Sequence, residues 1–560
     1  MKPRCFNSLV LFSFLLTCPM RSESTNPGTK LFTTLALLAI APIVPGTPPA
    51  ARTQTAEGRP LVQTVEGPVL GVEREGVNVF TAIPYAAPPV GPLRFRAPQP
   101  HAHWTQPLEA NRETPACPQT AGAAIGKPSE DEDCLFLSVW APAGPASGKR
   151  TVMLWIHGSG EKGYGGSPFF DGFWLAHDNG VIVITINYRL GLLGSLVSPF
   201  LDSPNDQFQS GNYHLLDQQE ALRWVQRNAE RFGGDPGGVT VFGESAGGGA
   251  VLALLASPAS KGLFQRAIVE SGAGSRLISR THAEQLTREK FLPMLGCEDA
   301  KDVAACLRTA PVSAFLKASD GYLYAGDARL LPLDPFVAFQ RGAFLRVPVL
   351  IGSNADEGHF YSALFESMRG RRMTEEDYQS DIRLLGNYPG LPPGLSNGSA
   401  LKLYPTRSFS SAAAAASRLV TDVLFACDAE RARRSISRFT TVYGYEFGEP
   451  DPVQEEPLAP ITELPNAAYH TSEEAYIFNG GHDHAPLTGR SVALSVTMRG
   501  YWTSFARTGD PNGSGRIEWP RFSEKSPEIL RLQQIPKVTR RFADDHNCTQ
   551  LEAAGFLGTD

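Results

Sequence analysis

The sequence predicts an α/β architecture, with a mostly parallel central sheet flanked by helices. Three observations predict it. Short apolar runs rich in β-branched residues recur along the chain, helical patterns lie between them, and glycine and proline (54 and 45 of 560 residues) are scattered as punctuation rather than gathered in low-complexity tracts. In order, the runs are VMLWI (Val152–Ile156), VIVITINY (Val181–Tyr188), VTVF (Val239–Phe242), AIVES (Ala267–Ser271), VPVLIG (Val347–Gly352) and VYGYEF (Val442–Phe447). Each is apolar on both faces, as a strand inside a parallel sheet must be. Between the second and third, ALRWVQRNAERF repeats Leu222, Val225, Ala229 and Phe232 at helical spacing, and Gly233-Gly234 stops the helix. The longer intervals, residues 272–346 and 360–440, read as helical excursions that roof the sheet, and the alanine run Ala412–Ala416 falls in a helix.

Composition narrows the function. Hydrophobic residues at 42% and charged residues at 19% describe a globular protein with an ample core. A net charge of −6 over this length, with no Lys/Arg block, leaves nucleic-acid binding without an electrostatic footprint, so no nucleic-acid partner is expected. At the amino terminus, LVLFSFLLTC (Leu9–Cys18) and LFTTLALLAIAPIV (Leu31–Val44) are each short for a membrane span but suit the apolar core of a secretory signal. Met20 opens a segment complete in itself, with Arg21 and Lys30, the second apolar run, and small residues at Ala50–Ala51. The expected organisation is a signal region over residues 1–51 with Met20 as an alternative start, a short lead-in over 52–60, and a single domain over 61–560. Export is therefore expected, with no integral membrane domain; the sequence is silent on oligomeric state. Cys5 and Cys18 fall in the signal region. The other six cysteines, Cys117, Cys134, Cys297, Cys306, Cys427 and Cys548, suit three disulfides in an exported protein, and close spacing suggests Cys117–Cys134 and Cys297–Cys306.

The most informative stretch is VTVFGESAGGGA (Val239–Ala250). Gly243-Glu244-Ser245-Ala246-Gly247 matches G-x-S-x-G directly after an apolar strand and before small residues that can open a helix. A serine on so sharp a turn is strained, and flanking glycines are needed because larger side chains would collide with neighbouring backbone. The turn exposes the Ser245 hydroxyl and leaves the Ala246 N–H facing a reacting carbonyl. Serine at its free pKa is a weak nucleophile, so a histidine base and an orienting carboxylate are required. In the α/β-hydrolase order the acid follows the serine and the histidine comes last. SNADEG ends a predicted strand with Asp356 and Glu357, and spacing does not choose between them. Among the downstream histidines, His359 is too near the acid in sequence, and His482 and His484 flank Asp483 in a polar loop that reads as solvated surface. His470, in NAAYHTSEEAYIF, is the best base.

These motifs, together with FTAIPYAAPPVGPLRF (Phe80–Phe95), EDCLFLSVW (Glu132–Trp140), INYRLGLLG (Ile186–Gly194), GNYHLLDQQEALRWV (Gly211–Val225), FGGDP (Phe232–Pro236) and YWTSFARTGDPN (Tyr501–Asn512), resemble the type-B carboxylesterases, the branch of the α/β-hydrolases that includes the cholinesterases. The likeness spans nearly the whole mature chain. It implies a serine carboxylic-ester hydrolase with Ser245 as nucleophile, Glu357 as acid and His470 as base, working through an acyl-enzyme without metal or organic cofactor. It implies a third disulfide, Cys427–Cys548, beside the two that spacing suggests. It also gives a role to HGSGEKGYGG (His157–Gly166): the family's H-G-G-G loop supplies two oxyanion donors, here the N–H groups of Ser159 and Gly160, joined by that of Ala246. Glu244 matches a glutamate at the family's active-site floor, Ser271 a serine near the triad, and His157 a residue that shapes the loop.

Two departures stand out. Ser159 adds a side chain where the family has glycine, and Glu161 occupies a position usually apolar or aromatic. Either both point away from substrate, or they narrow and polarise the space beside the scissile ester. An uninterrupted glycine triplet in this family is associated with bulky tertiary-alcohol esters, so poor turnover of those is expected. A cholinesterase is disfavoured because the CPQTAGAAIGKPSEDEDC loop contains no tryptophan. A specialised esterase for a polar natural-product ester, or an amide or carbamate hydrolase, stays open. A non-catalytic adhesion role, known for members that have lost the nucleophile, is disfavoured by the intact Ser245, Glu357 and His470.

Overall fold

VMLWI is buried on both faces: Val152, Leu154 and Ile156 enter one apolar cluster while Met153 and Trp155 enter another. It forms part of an 11-stranded sheet. The computed structural model describes residues 53–54, 58–120, 127–159, 163–166, 168–204, 206–272, 276–318, 324–387, 391, 393–453, 463–480 and 487–556. The expected signal region with Cys5, Cys18 and Met20, the loop residues Gly160 and Glu161, and the loop with His482, Asp483 and His484 lie outside the described residues.

In chain order the sheet's strands are β1 (Val72–Arg74), β2 (Val77–Pro84), β3 (Phe136–Pro142), β4 (Arg150–Ile156), β5 (Ile182–Ile186), β6 (Gly234–Glu244), β7 (Arg266–Glu270), β8 (Val349–Asn354), β9 (Val442–Phe447), β10 (Ile529–Leu532) and β11 (Lys537–Thr539). Across the sheet they lie in the order β11-β10-β9-β8-β7-β6-β4-β5-β3-β2-β1. From β5 to β10 every neighbouring pair is parallel; the strands at both ends are antiparallel. The apolar runs all become parallel strands, as their two-sided burial requires. The antiparallel flanks were not legible. In β2, Asn78 and Thr81 interrupt the apolar pattern and the register slips between Phe80 and Ile83, while ILRL and KVT are too short to show a period.

Helix α1 (Tyr213–Asn228) and helix α2 (Ala246–Ala256) share one apolar cluster with the sheet. The regular part of α1 ends at Asn228; Ala229–Phe232 tightens into a 3-10 turn, and Gly233 stops it at φ 79. Among the described residues of 272–346 the long elements are helices, beside a short parallel pairing of Leu277–Ile278 with Tyr324–Ala325 and an isolated bridge between Asp327 and Leu331. Residues 358–437 carry helices α3 (Gly358–Arg369), α4 (Ala412–Val420) and α5 (Cys427–Ser437), and the alanine run opens α4. This excursion has its own apolar core, closed by Cys548, Leu551 and Phe556 of the C-terminal tail. Among the described residues no helix is long and apolar enough to cross a membrane.

All three disulfides are present: Cys117–Cys134, Cys297–Cys306 and Cys427–Cys548. Beside the last, buried His546 lies 2.8 Å from Asp422 through Nδ1 and 2.8 Å from Glu446 through Nε2. Burial opposes its charge, but hydrogen bonds to these two acids outweigh that and raise its pKa from 6.5 to about 9. Because the folded-state value is raised, its contribution is complete below pH 6.5 and lost as pH climbs through about 9. The difference corresponds to on the order of 3 kcal/mol. Thermal unfolding midpoints should therefore fall across that window, and His546→Gln should flatten the fall; equal slopes in both proteins would remove His546 as its source.

Candidate active site

Strand β6 runs into helix α2 with only Ser245 between them, and Ser245 adopts φ 55 and ψ −121. Such a backbone costs on the order of 1–3 kcal/mol and persists only where its surroundings enforce it. Here they do. A Cβ on Gly247 would lie 2.0 Å from the carbonyl oxygen of Ile156, one on Gly243 would lie 2.6 Å from the same atom, and one on Gly248 would lie 2.5 Å from that of Glu270. The elbow is thus wedged between β4 and β7 by glycines, and the Ser245 N–H is fixed by the carbonyl of Glu270 at 3.0 Å.

The sheet brings the other groups to the same edge, because parallel strands end their C-termini together. Asn354 ends β8, and its N–H donates to Glu357 Oε1 at 2.7 Å, aiming the other oxygen away from the turn. That oxygen, Oε2, lies 2.6 Å from His470 Nδ1, and His470 Nε2 lies 2.9 Å from Ser245 Oγ. Residues 225 and 113 apart in sequence thus form one continuous hydrogen-bond chain. Asp356, left open by spacing, is not in it; its N–H is bound to the carbonyl of Ala468. His359 pairs with Ser417 instead, at 2.7 Å.

Beneath this chain lies a set of carboxyl groups that sequence reasoning only partly found. Glu244 and Glu270 are register partners on β6 and β7, and Glu473 follows His470 by three residues. Burial first, then neighbouring carboxylates, pushes Glu244 and Glu473 well above the ordinary range. Burial likewise raises Glu270 to about 8 despite the hydrogen bond from Trp502 Nε1. In all three, burial favours the uncharged acid beside His470. Ser271, at φ 46, donates to Glu473 at 3.4 Å rather than to Ser245, His470 or Glu357, and Asn354 Nδ2 also donates to Glu473. Glu473 and Asn354 were missed, although each stands three residues from a candidate in the sequence. Around the His470 ring stand Phe425, Tyr361 and Phe360, with centroids at 4.6, 5.4 and 5.9 Å. No local pattern marks Phe425; it arrives from a helix.

The loop that begins at His157 presses against the elbow at Gly158. A Cβ on Gly158 would fall 2.9 Å from Ser245 Cβ. His157 stacks on Tyr188 at 4.5 Å, its carbonyl accepts the Tyr188 hydroxyl at 2.7 Å, and burial lowers its pKa to about 4, so it is a neutral packing residue. Ser159 is exposed and sits at φ 67, the left-handed region that favours glycine. Gly160 and Glu161 lie outside the described residues.

The sheet order, the strand–serine–helix elbow and the loops at the strands' C-terminal ends define an α/β-hydrolase. The chain belongs to the carboxylesterase family, whose sequence profile matches residues 58–550. It is 37% identical over 496 residues to para-nitrobenzyl esterase of Bacillus subtilis (strain 168), covering 84% of this chain and 94% of that one. It is 34% identical over 505 residues to fumonisin B1 esterase of Sphingopyxis macrogoltabida, covering 85% and 87% of the two chains. A solved thermophilic PNB esterase superposes with a TM-score of 0.73 at 34% identity, covering 87% of this chain and 99% of that one. The protein is a carboxylic ester hydrolase.

Proposed function

We propose that the protein cleaves carboxylic esters by two-step acyl transfer, with Ser245 as nucleophile, His470 as general base and then acid, and Glu357 as the group that orients the imidazole. The observation that carries this reading is the unbroken chain from Ser245 Oγ through His470 to Glu357, at 2.9 and 2.6 Å. His470 takes the serine proton as Oγ attacks the ester carbonyl, and returns it to the departing alcohol. Water then attacks the acyl-serine by the same route in reverse. The tetrahedral oxyanion is received by the main-chain N–H groups of Ser159, Gly160 and Ala246; such preorganised donors are worth roughly 3–4 kcal/mol each. A pre-steady-state burst of p-nitrophenol from p-nitrophenyl butyrate, together with a butyryl group recovered on the Ser245 peptide after acid quench, is the expected result. A burst with the acyl group on another residue overturns the assignment.

Ser159 is read as a steric gate on this loop. Ser159→Gly should raise the ratio of tert-butyl acetate to ethyl acetate turnover, and should not lower the unfolding temperature, because glycine accepts φ 67 more readily. An unchanged ratio removes the steric role. The related esterases by name act on para-nitrobenzyl and fumonisin esters, so aryl-alkyl and polar natural-product esters are the substrates to test first. Export is supported by the three disulfides, which suit an oxidising compartment.

A further inference from the structure

Between helices α4 and α5 the backbone does not continue as α-helix. Thr421–Ala426 forms a π-helical turn, and all its residues are buried. Such turns are rare and frequently lie at functional sites. Two of its side chains reach the active site. Thr421 Oγ1 accepts the N–H of Gly358, the residue after Glu357, at 2.9 Å and donates to Ser417 at 2.8 Å. Phe425 packs on the His470 ring at 4.6 Å and stacks with Tyr361 at 5.9 Å. The contact is tight on the acid's side, since a Cβ on Gly358 would lie 2.0 Å from the Ser417 carbonyl oxygen.

A third side chain, Asp422, is bound to the C-terminal tail. Its Oδ1 meets His546 Nδ1, while its Oδ2 accepts from Arg418 at 2.9 Å, Tyr404 at 2.8 Å and Asn547 at 3.2 Å. On its other side His546 meets Glu446 of β9, whose second oxygen accepts from Arg531 of β10 at 2.6 Å. Arg433 of α5 adds positive charge near Glu446. An imidazolium donating both its N–H groups to carboxylates makes two charge-assisted bonds, which are short and strong. Cys427 follows the turn directly and is bonded to Cys548, two residues beyond His546.

We infer that His546 is a positioning residue for ester hydrolysis: by tying the π-helical turn to strand β9, it holds Thr421 against the Glu357 turn and Phe425 against His470. The inference rests on the roles given above to Glu357 and His470. The protonation of His546, maintained up to about pH 9, fits this use, because only the doubly protonated ring can donate to both acids.

The test is His546→Gln, assayed on p-nitrophenyl butyrate from pH 5 to 10 (a range on the order of that spanning the imidazole and raised-imidazole values), with rates expressed per Ser245 titrated by a phosphonate ester. We expect kcat to fall about tenfold with KM within about twofold, as for an interaction realised in the transition state. In the wild type kcat should decline near pH 9, and that decline should be absent from the variant. Wild-type kcat and an unchanged pH profile per titrated serine, with only a lower unfolding temperature, would overturn the proposal and leave His546 as an anchor for stability. Where His546→Gln yields no folded protein, Thr421→Val and Phe425→Leu decide: both should lower kcat at constant KM, and wild-type values in both overturn it. Should wild-type Ser245 itself take no phosphonate while esterase activity persists, the functional reading fails instead, and the two failures are distinct.

Discussion

Ser245→Ala and His470→Ala should each reduce kcat/KM on p-nitrophenyl butyrate by about 10⁴–10⁶-fold, and the double substitution should cost little more than either alone. The reason is that the two act as one unit. On the proposed mechanism, the Ser245 hydroxyl is nucleophilic only while His470 Nε2, 2.9 Å away, can take its proton. Without the serine there is nothing for the base to activate; without the base the serine stays a neutral alcohol. KM should change far less than kcat, because neither group supplies the binding surface. Circular dichroism and unfolding temperature should remain close to wild type for Ser245→Ala, whose substitution removes one atom and relieves none of the elbow's backbone strain. Activity of Ser245→Ala equal to wild type would exclude the acyl-serine route and favour another nucleophile.

Glu357→Gln should lower kcat/KM by about 10³–10⁴-fold, whereas Glu244→Gln should stay within about tenfold of wild type. Two carboxyl groups face His470 Nδ1, Glu357 Oε2 at 2.6 Å and Glu244 Oε1 at 3.3 Å. The shorter contact is a hydrogen bond; the longer one leaves Glu244 Oε1 without a partner of acceptable geometry. Burial and the surrounding carboxylates also push Glu244 towards its uncharged form, so replacing it by an amide of the same shape should change little charge. At Glu357 the amide would present a donor or a weaker acceptor to Nδ1, favouring the wrong imidazole tautomer and failing to stabilise the imidazolium. A larger loss in Glu244→Gln than in Glu357→Gln would reverse the assignment of the acid.

Much of this was legible in the chain. Strands β4 to β9 announce themselves because burial on both faces leaves uninterrupted apolar runs, and the elbow does so because its glycines are demanded by backbone contacts as short as 2.0 Å. Ser245 could be named from those facts alone. His470 could be picked from among the downstream histidines, but Glu357 needed the family resemblance, since residue spacing does not separate Asp356 from Glu357. The buried acids Glu270 and Glu473 were illegible for a different reason. A glutamate in AIVES or HTSEE looks like any surface glutamate until the fold removes its water, and only then does burial raise it.

The sequence by itself determined the parallel sheet and the sharp turn that carries Ser245, because these depend on short-range patterns: two-sided apolar runs, and glycines where no Cβ fits. The tertiary structure alone showed which buried acids lie beside His470, and that His546, near the C-terminus, joins Asp422 to Glu446. Those outcomes depend on contacts between residues more than a hundred positions apart, such as His546 with Asp422 at a separation of 124, and on the loss of solvent that comes only with packing. No local pattern in a chain encodes either.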